Sequence, residues 1–153
     1  MTPETREGMH PKALQQPPFA THLCMRILSA RQDGIEAEMT VIPELLNRNG
    51  TLHGGAVMAV CDHVGGTGAF LNLTPEQGTV TVESKTNFLR SIPADDVVRC
   101  TSVPIHRGRM TMVWQTTVRR GDGKVVAIVT QTQLVLEDPA FSTDRTPTGS
   151  NFD

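Results

Sequence analysis

The run Asn47-Arg48-Asn49-Gly50-Thr51-Leu52-His53-Gly54-Gly55-Ala56 opens the longest mostly apolar stretch of the chain, Gly54 to Leu73. If that stretch is a helix, its first turn carries backbone N–H groups with no intrahelical acceptor. Two glycines there let a ligand approach the backbone closely. The N–H groups of Gly54 and Gly55, aided by the helix dipole, could then hold a developing oxyanion. The competing reading is structural: His53 caps the helix and the glycines only permit tight packing. Further along stands Asp62, the only acid between Glu44 and Glu76. An unpaired carboxylate is costly to bury, so Asp62 is expected to have partners or to do work. Met58, Ala59, Gly65 and Gly66, one turn to either side, leave room for a substrate or a water. The structural alternative for Asp62 is a bond to backbone N–H groups across an interface.

Gly54 and Asp62 lie roughly 12 Å apart along one helix at 1.5 Å per residue. One carbonyl group cannot touch both within a chain. If both act on one substrate, Asp62 must come from a second copy, with two central helices side by side, and Gly65, Gly66 and Gly68 would suit that packing. His63 points about 100° around the helix from Asp62 and is expected to be structural or interfacial. Arg107, Arg109, Arg119, Arg120 and Lys124 read as one charged cluster around two turns, with Arg90 before another turn. That is either a solvated turn region or a set of guanidinium forks for phosphate oxygens. His10, His22 and His106 have no metal-ligand spacing. Neither G-x-x-x-x-G-K-[ST] nor G-x-S-x-G occurs, which removes the P-loop and nucleophile-elbow readings.

The elements that must position these residues are mostly strands. Ile35, Ala37, Met39 and Val41 alternate with Glu36, Glu38 and Thr40, a half-buried strand. Asp33-Gly34 marks a hairpin, so residues 23–31 are expected to pair with 34–42. Residues 79–90 are rich in Thr and Val and alternate less cleanly; 96–106, 109–120 and 124–136 follow as further strands. The expected order is two strands, one helix, then four strands in a meander. The helix, Gly54 to about Leu73, is nearly uncharged around its circumference and so is expected to be buried on all sides. Each of its interior glycines costs roughly 1 kcal/mol against Ala, a cost that close approach of a neighbour or ligand would offset. The four long strands need such a partner, so the sheet is expected to curl around the helix.

A chain of 153 residues is about one domain at ~100–200 residues each. Lys plus Arg is 14 against 16 Asp plus Glu, a net charge of −2, which argues against a nucleic-acid partner that needs a basic surface. Five Phe, one Trp and no Tyr argue against base-stacking platforms. Cys24, Cys61 and Cys100 form no C-x-x-C pair and read as reduced thiols acting as small hydrophobes. No uninterrupted apolar run reads as a signal peptide or a membrane span, so the expected setting is cytoplasmic, with no membrane partner. Residues 1–20 show no core pattern, and 138–153 form a polar tail with two prolines.

N-x-x-G-x-x-H-G-G followed by an acid nine residues after the His is here Asn47, Gly50, His53, Gly54, Gly55 and Asp62. This pattern resembles the PaaI-type branch of the hotdog-fold acyl-CoA thioesterases. Thr79 to Glu83 leading to Asn87-Phe88-Leu89-Arg90, the Gly108-Arg109 turn and the Gly123 to Ala127 hairpin are also similar to that branch. The resemblance implies an α+β hotdog fold, an antiparallel sheet of about five to six strands wrapped around one long helix. The resemblance spans about residues 23–136, so 23–137 is expected to be the hotdog domain, with 1–22 as an extension and the polar 138–153 as a flexible tail. It further implies a homodimer or dimer of dimers with a continuous sheet, an acyl-CoA substrate, and no cofactor or metal. Residue by residue, Gly54 N–H would polarise the thioester carbonyl and Asn47 would orient substrate or water. Asp62 of the partner would be base or nucleophile, Thr81 would hold the attacking water, and His53 would support the loop or bond near the thioester. Gly55 and Gly66 would line the acyl site, and Arg90, Arg107 and Arg109 are the candidates for the CoA phosphates.

Two rivals stand beside hydrolysis. A hotdog dehydratase or hydratase would need a His with an acid in the site, and the residues flanking His53 and His63 do not fit one. A non-catalytic acyl-CoA-binding module would keep the fold and pocket but release no thiol.

Overall fold

The computed structural model describes residues 8–137; the tail expected over 138–153 lies outside the described residues. Six strands form one antiparallel sheet: β1 (Met25–Arg31), β2 (Gly34–Thr40), β3 (Gly78–Phe88), β4 (Val97–Arg107), β5 (Thr111–Arg119) and β6 (Val125–Leu136). Two helices accompany them, the short α1 (Pro18–His22) and the long α2 (Gly54–Phe70). The architecture is the α+β hotdog arrangement, with α2 packed against strands across the sheet.

The expected hairpin forms with Arg31 opposite Gly34, and Ile35, Ala37, Met39 and Val41 are all buried. The four-strand meander is corrected. The strand order is β1-β2-β4-β5-β6-β3, so only β4, β5 and β6 form a meander. β3 crosses to the far side and pairs with β6 alone. The less regular alternation of β3 has a physical cause. Thr81 pairs with Gln133 and Glu83 with Thr132, so Val82 is an extra, bulged residue. A bulge switches which parity faces inward. Before it Thr81 lies opposite Gln133, and after it Ser84, Thr86 and Phe88 lie opposite Gln131, Val129 and Ala127.

α2 is not buried on all sides. Val57, Val60, Cys61, Val64 and Ala69 enter the core, but Gly55, Met58 and Asp62 form an exposed stripe along the helix. Gly65 and Gly68 turn to the sheet rather than outward toward a second helix. A Cβ on Gly65 would lie 2.5 Å from the Gln131 amide, and one on Gly68 would lie 2.7 Å from the Trp114 ring. These two glycines admit inward side chains of the chain's own sheet.

Residues before 23 do contribute to the core: Ala13 and Ala20 are buried in the main apolar cluster. Gly8–His10 also runs beside β1, with His10 N–H donating to Ala30 O at 2.8 Å and Ala30 N–H to Gly8 O at 3.0 Å. Of the cysteines, Cys61 and Cys100 are buried, while Cys24 is exposed rather than a core hydrophobe. A hydrogen bond to Cys100, with burial, pushes the Cys61 thiol up. No helix among the described residues is long and apolar enough to cross a membrane.

Candidate active site

His53 is the N-cap of α2. Its backbone is extended (φ −66°, ψ 134°) and its Nδ1 accepts the Gly55 N–H at 2.8 Å. A ring nitrogen that accepts carries no proton, so a neutral His53 has its hydrogen on Nε2. The bond corrects one expectation: the Gly55 N–H is taken by the cap and cannot also hold an oxyanion. The neighbouring Gly54 N–H has no acceptor among the described residues. It points out of the helix start, the geometry that suits an oxyanion. The Phe88 ring lies over Gly54, 3.1 Å from where a Cβ would be.

Asn47 builds the loop that leads into this cap. Its Oδ1 accepts the Asn49 N–H at 2.9 Å and the Thr51 N–H at 3.3 Å. Its Nδ2 donates to Thr51 Oγ1 at 3.0 Å. Gly50, at φ +73°, turns the chain between them, a conformation that favours glycine.

Asp62 is exposed on the open face of α2, so its carboxylate is not the buried group its apolar neighbourhood implied. Thr81 donates to Asp62 Oδ1 at 2.8 Å. Thr81 in turn accepts from Gln133 Nε2 at 2.7 Å, and Gln133 Oε1 accepts from Thr79 Oγ1 at 3.1 Å. Gln131 Nε2 donates to the backbone carbonyl of Asp62 at 3.2 Å. The two glutamines were not singled out from sequence. Their signal is parity: Val129, Gln131 and Gln133 share the inward phase of β6, and both amides are buried.

Asp62 stands at the rim of a cavity of about 520 Å³, to which Gly66, Thr67, Phe70, Thr81 and Gln133 also belong. Gly66 has open space where its Cβ would be. The opposite wall comes from the N-terminal segment, Lys12 and Gln15 to Pro18. Gln16 Nε2 donates to Ala13 O at 2.7 Å, which turns its Oε1 to His63 Nε2 at 2.5 Å. Burial holds the His63 ring below its ordinary titration range, against the pull of Asp62. The Lys12 ammonium bonds Leu73 O at 2.9 Å and sits 5.2 Å from the Phe70 ring centre.

The arginines do not form one cluster. Arg107 and Arg109 flank one end of β5, and Arg119, Arg120 and Lys124 the other, about 30 Å away at ~3.3 Å per residue. Arg107 bonds Gln32 O at 3.1 Å and Asn72 Oδ1 at 3.3 Å. Arg90 bonds Val125 O at 2.7 Å, at the same end as Phe88 and Gly54. Arg120 and Asp122 form a two-pronged pair at 2.9 Å, and the guanidinium holds the Asp122 carboxyl far below the usual carboxylate range. Among the described residues no three His, Cys, Asp or Glu side chains converge as a metal site would require.

An antiparallel sheet around one long helix is the hotdog fold, and the relatives of this chain make it a thioester hydrolase. Residues 49–127 match the Thioesterase superfamily, and the chain belongs to that family. It is 35% identical over 113 residues to the Mycobacterium tuberculosis protein named "Putative esterase Rv1847", covering 72% of this chain and 80% of that protein. It is 30% identical over 104 residues to the 1,4-dihydroxy-2-naphthoyl-CoA hydrolase of Escherichia coli, covering 68% of this chain and 76% of the enzyme. The solved structure of thioesterase HI1161 from Haemophilus influenzae superimposes with a TM-score of 0.73 at 28% identity, covering 78% of this chain and 82% of that one.

Proposed function

We propose that the protein hydrolyses acyl-CoA thioesters to the free acid and CoA, at a site shared between two copies of the chain. The observation that carries this is the placement of the two reactive groups. The free Gly54 N–H and the Asp62–Thr81 pair lie on one continuous helix, about 12 Å apart along it. A carbonyl polarised at Gly54 therefore meets the carboxylate of a second copy.

In this reading the thioester oxygen accepts from Gly54 N–H, where the dipole of α2 favours negative charge. Asp62 of the other copy takes a proton from a water seated beside Thr81, and the water oxygen attacks the carbonyl carbon. The tetrahedral intermediate collapses with loss of the C–S bond, and the thiolate takes the proton back from Asp62. Asn47 and His53 act by fixing the loop and the helix start that hold Gly54. The acyl group occupies the cavity at Gly66 and Phe70, whose ~520 Å³ falls within the ~300–1,000 Å³ of ordinary ligand pockets. Arg90, at the Gly54 end, is the nearest of the three candidate arginines for a CoA phosphate; Arg107 and Arg109 sit at the other end.

The test is thiol release from a panel of acyl-CoA esters by the native chain and by Asp62→Asn. Turnover in the native chain that falls at least about a hundredfold in Asp62→Asn, as loss of a general base does, supports the reading. Thermal stabilisation by the esters with no thiol release from the native chain would replace it with a binding module. Equal activity in both would remove Asp62 from the chemistry.

A further inference from the structure

We propose that Gln133 is a positioning residue for Asp62, and that Gln131 fixes the helix turn on which Asp62 stands. The inference rests on the reading of Asp62 as the base and adds the part that aims it.

A buried amide is costly unless its donors and acceptor are used. Gln133 is 1% exposed and Gln131 0%, on a strand whose neighbouring inward positions are Val and Ala. A hydrophobic residue would fill either place at no such cost; Gln133 uses both ends of its amide, whereas Gln131 uses only Nε2 and its Oε1 has no partner among the described residues. Gln133 Nε2 donates to Thr81 Oγ1 at 2.7 Å, and Thr81 Oγ1 lies 2.8 Å from Asp62 Oδ1. Thr81 has a single hydroxyl proton. With Gln133 supplying a hydrogen to the oxygen, that proton is left for the carboxylate. The reverse amide orientation would turn the Thr81 proton to Gln133 and set two bare oxygens, hydroxyl and carboxylate, 2.8 Å apart. The Thr79 hydroxyl, 3.1 Å from both Gln133 Oε1 and Leu134 O, accommodates either orientation, so the Thr81–Asp62 contact decides it. The chain of donors therefore occupies Asp62 Oδ1 and leaves Oδ2 to accept a proton from water.

Gln131 works at the other end of the same residue. Its amide nitrogen donates to Asp62 O at 3.2 Å. That bond needs α2 close to β6, and Gly65 provides the room, since a Cβ there would lie 2.5 Å from the Gln131 amide. The bulge at Val82 completes the arrangement by turning Thr81 inward opposite Gln133. One strand thus fixes both the backbone and the carboxylate of Asp62.

The test is a double-mutant cycle on thiol release with Gln133→Met, Thr81→Val and the double variant, with Asp62→Asn alongside. Gln133→Met keeps the side-chain volume and removes the donor. The expected result is a kcat at least about tenfold lower with KM within about twofold. Gln133→Met added to Thr81→Val should cost no more than about a further twofold, because the amide acts through the hydroxyl. Thr81→Ser, which keeps the hydroxyl, should retain most of kcat. If Gln133→Met does not fold, Gln133→Leu takes its place in the cycle, since it also fills the site without a donor to Thr81. A kcat within twofold of native in the Gln133 variant, or losses that multiply independently in the double variant, would overturn the proposal. If Asp62→Asn retains kcat, the base assignment has failed. If Asp62→Asn is inactive while the Gln133 variant is unimpaired, only the positioning role has failed.

Discussion

Gly65, Gly66 and Gly68 stand within one turn of α2 yet face three different surroundings. Gly65 meets the Gln131 amide, Gly68 the Trp114 ring, and Gly66 open space in the cavity. The sequence showed three glycines that each weaken a helix by roughly 1 kcal/mol, but not which of them was required. Their effects on substitution therefore differ in sign. Gly68→Ala forces a methyl against an indole that is fully buried, and such overpacking costs about 1–3 kcal/mol. Gly66→Ala meets nothing and gains up to about 1 kcal/mol of helix propensity. Thermal unfolding should show Gly68→Ala melting several degrees lower than native and Gly66→Ala at or above it. A lowered midpoint for Gly66→Ala, or an unchanged one for Gly68→Ala, would contradict these surroundings. Asp62, His53 and Gly54 were legible as candidates because chemistry needs their types at their spacing. Gln133 was not, because its partner Thr81 lies 52 positions away and meets it only through the β3–β6 pairing.

At the scale of elements, the helix and all six strands were readable from periodicity and turns. The place of β3 was not, since its pairing with β6 is a long-range choice that alternation does not encode. The N-terminal segment was also illegible, because two buried alanines leave little periodic trace among prolines. It meets α2 at His63, which bonds Gln16, and burial of that ring makes the fold sensitive to pH. Burial favours the neutral ring, so His63 titrates below its ordinary value of 6.5 in the folded chain. The unfolded chain then binds more protons near and below that value, and stability must fall as the pH falls. The contribution of neutral His63 is present above about 6.5 and is lost on acidification. Asp122, held far below its ordinary 3.8, keeps its contribution down to that value and loses it only at more acid pH. The unfolding midpoint of the native chain should drop between pH 7.5 and 5. His63→Gln, which has no such titration, should show a smaller drop over the same interval. An equal drop in both would mean that other groups govern the acid sensitivity.

At the scale of the whole molecule, the two edges of the sheet are treated differently. The β1 edge is covered by Gly8–His10. Among the described residues nothing pairs with the outer edge of β3, 11 residues long, with Val80, Val82 and Phe88 exposed on it and Met58 exposed on the neighbouring helix. Open, apolar edges invite pairing with another strand, and a second copy added there would approach Asp62, which Thr81 of β3 holds. The shared-site reading then makes a prediction that a single-chain site cannot meet. Gly54→Pro removes the N–H without breaking the helix, because proline is well tolerated at the first helical position, though its ring must displace Phe88. His53 before it already has the extended backbone that a following proline requires, and the exposed Phe88 ring can move aside. Gly54→Pro and Asp62→Asn should each be inactive in thiol release. In a two-fold dimer, unfolding and refolding the two variants together at equal amounts makes half the dimers mixed. Each mixed dimer then carries one site with both native groups and one with neither. Activity should return to about a quarter of native by that count, and should stay absent when the variants are refolded separately. Activity that fails to return, in a mixture shown to contain mixed dimers, would place Gly54 and Asp62 in separate roles rather than at one carbonyl.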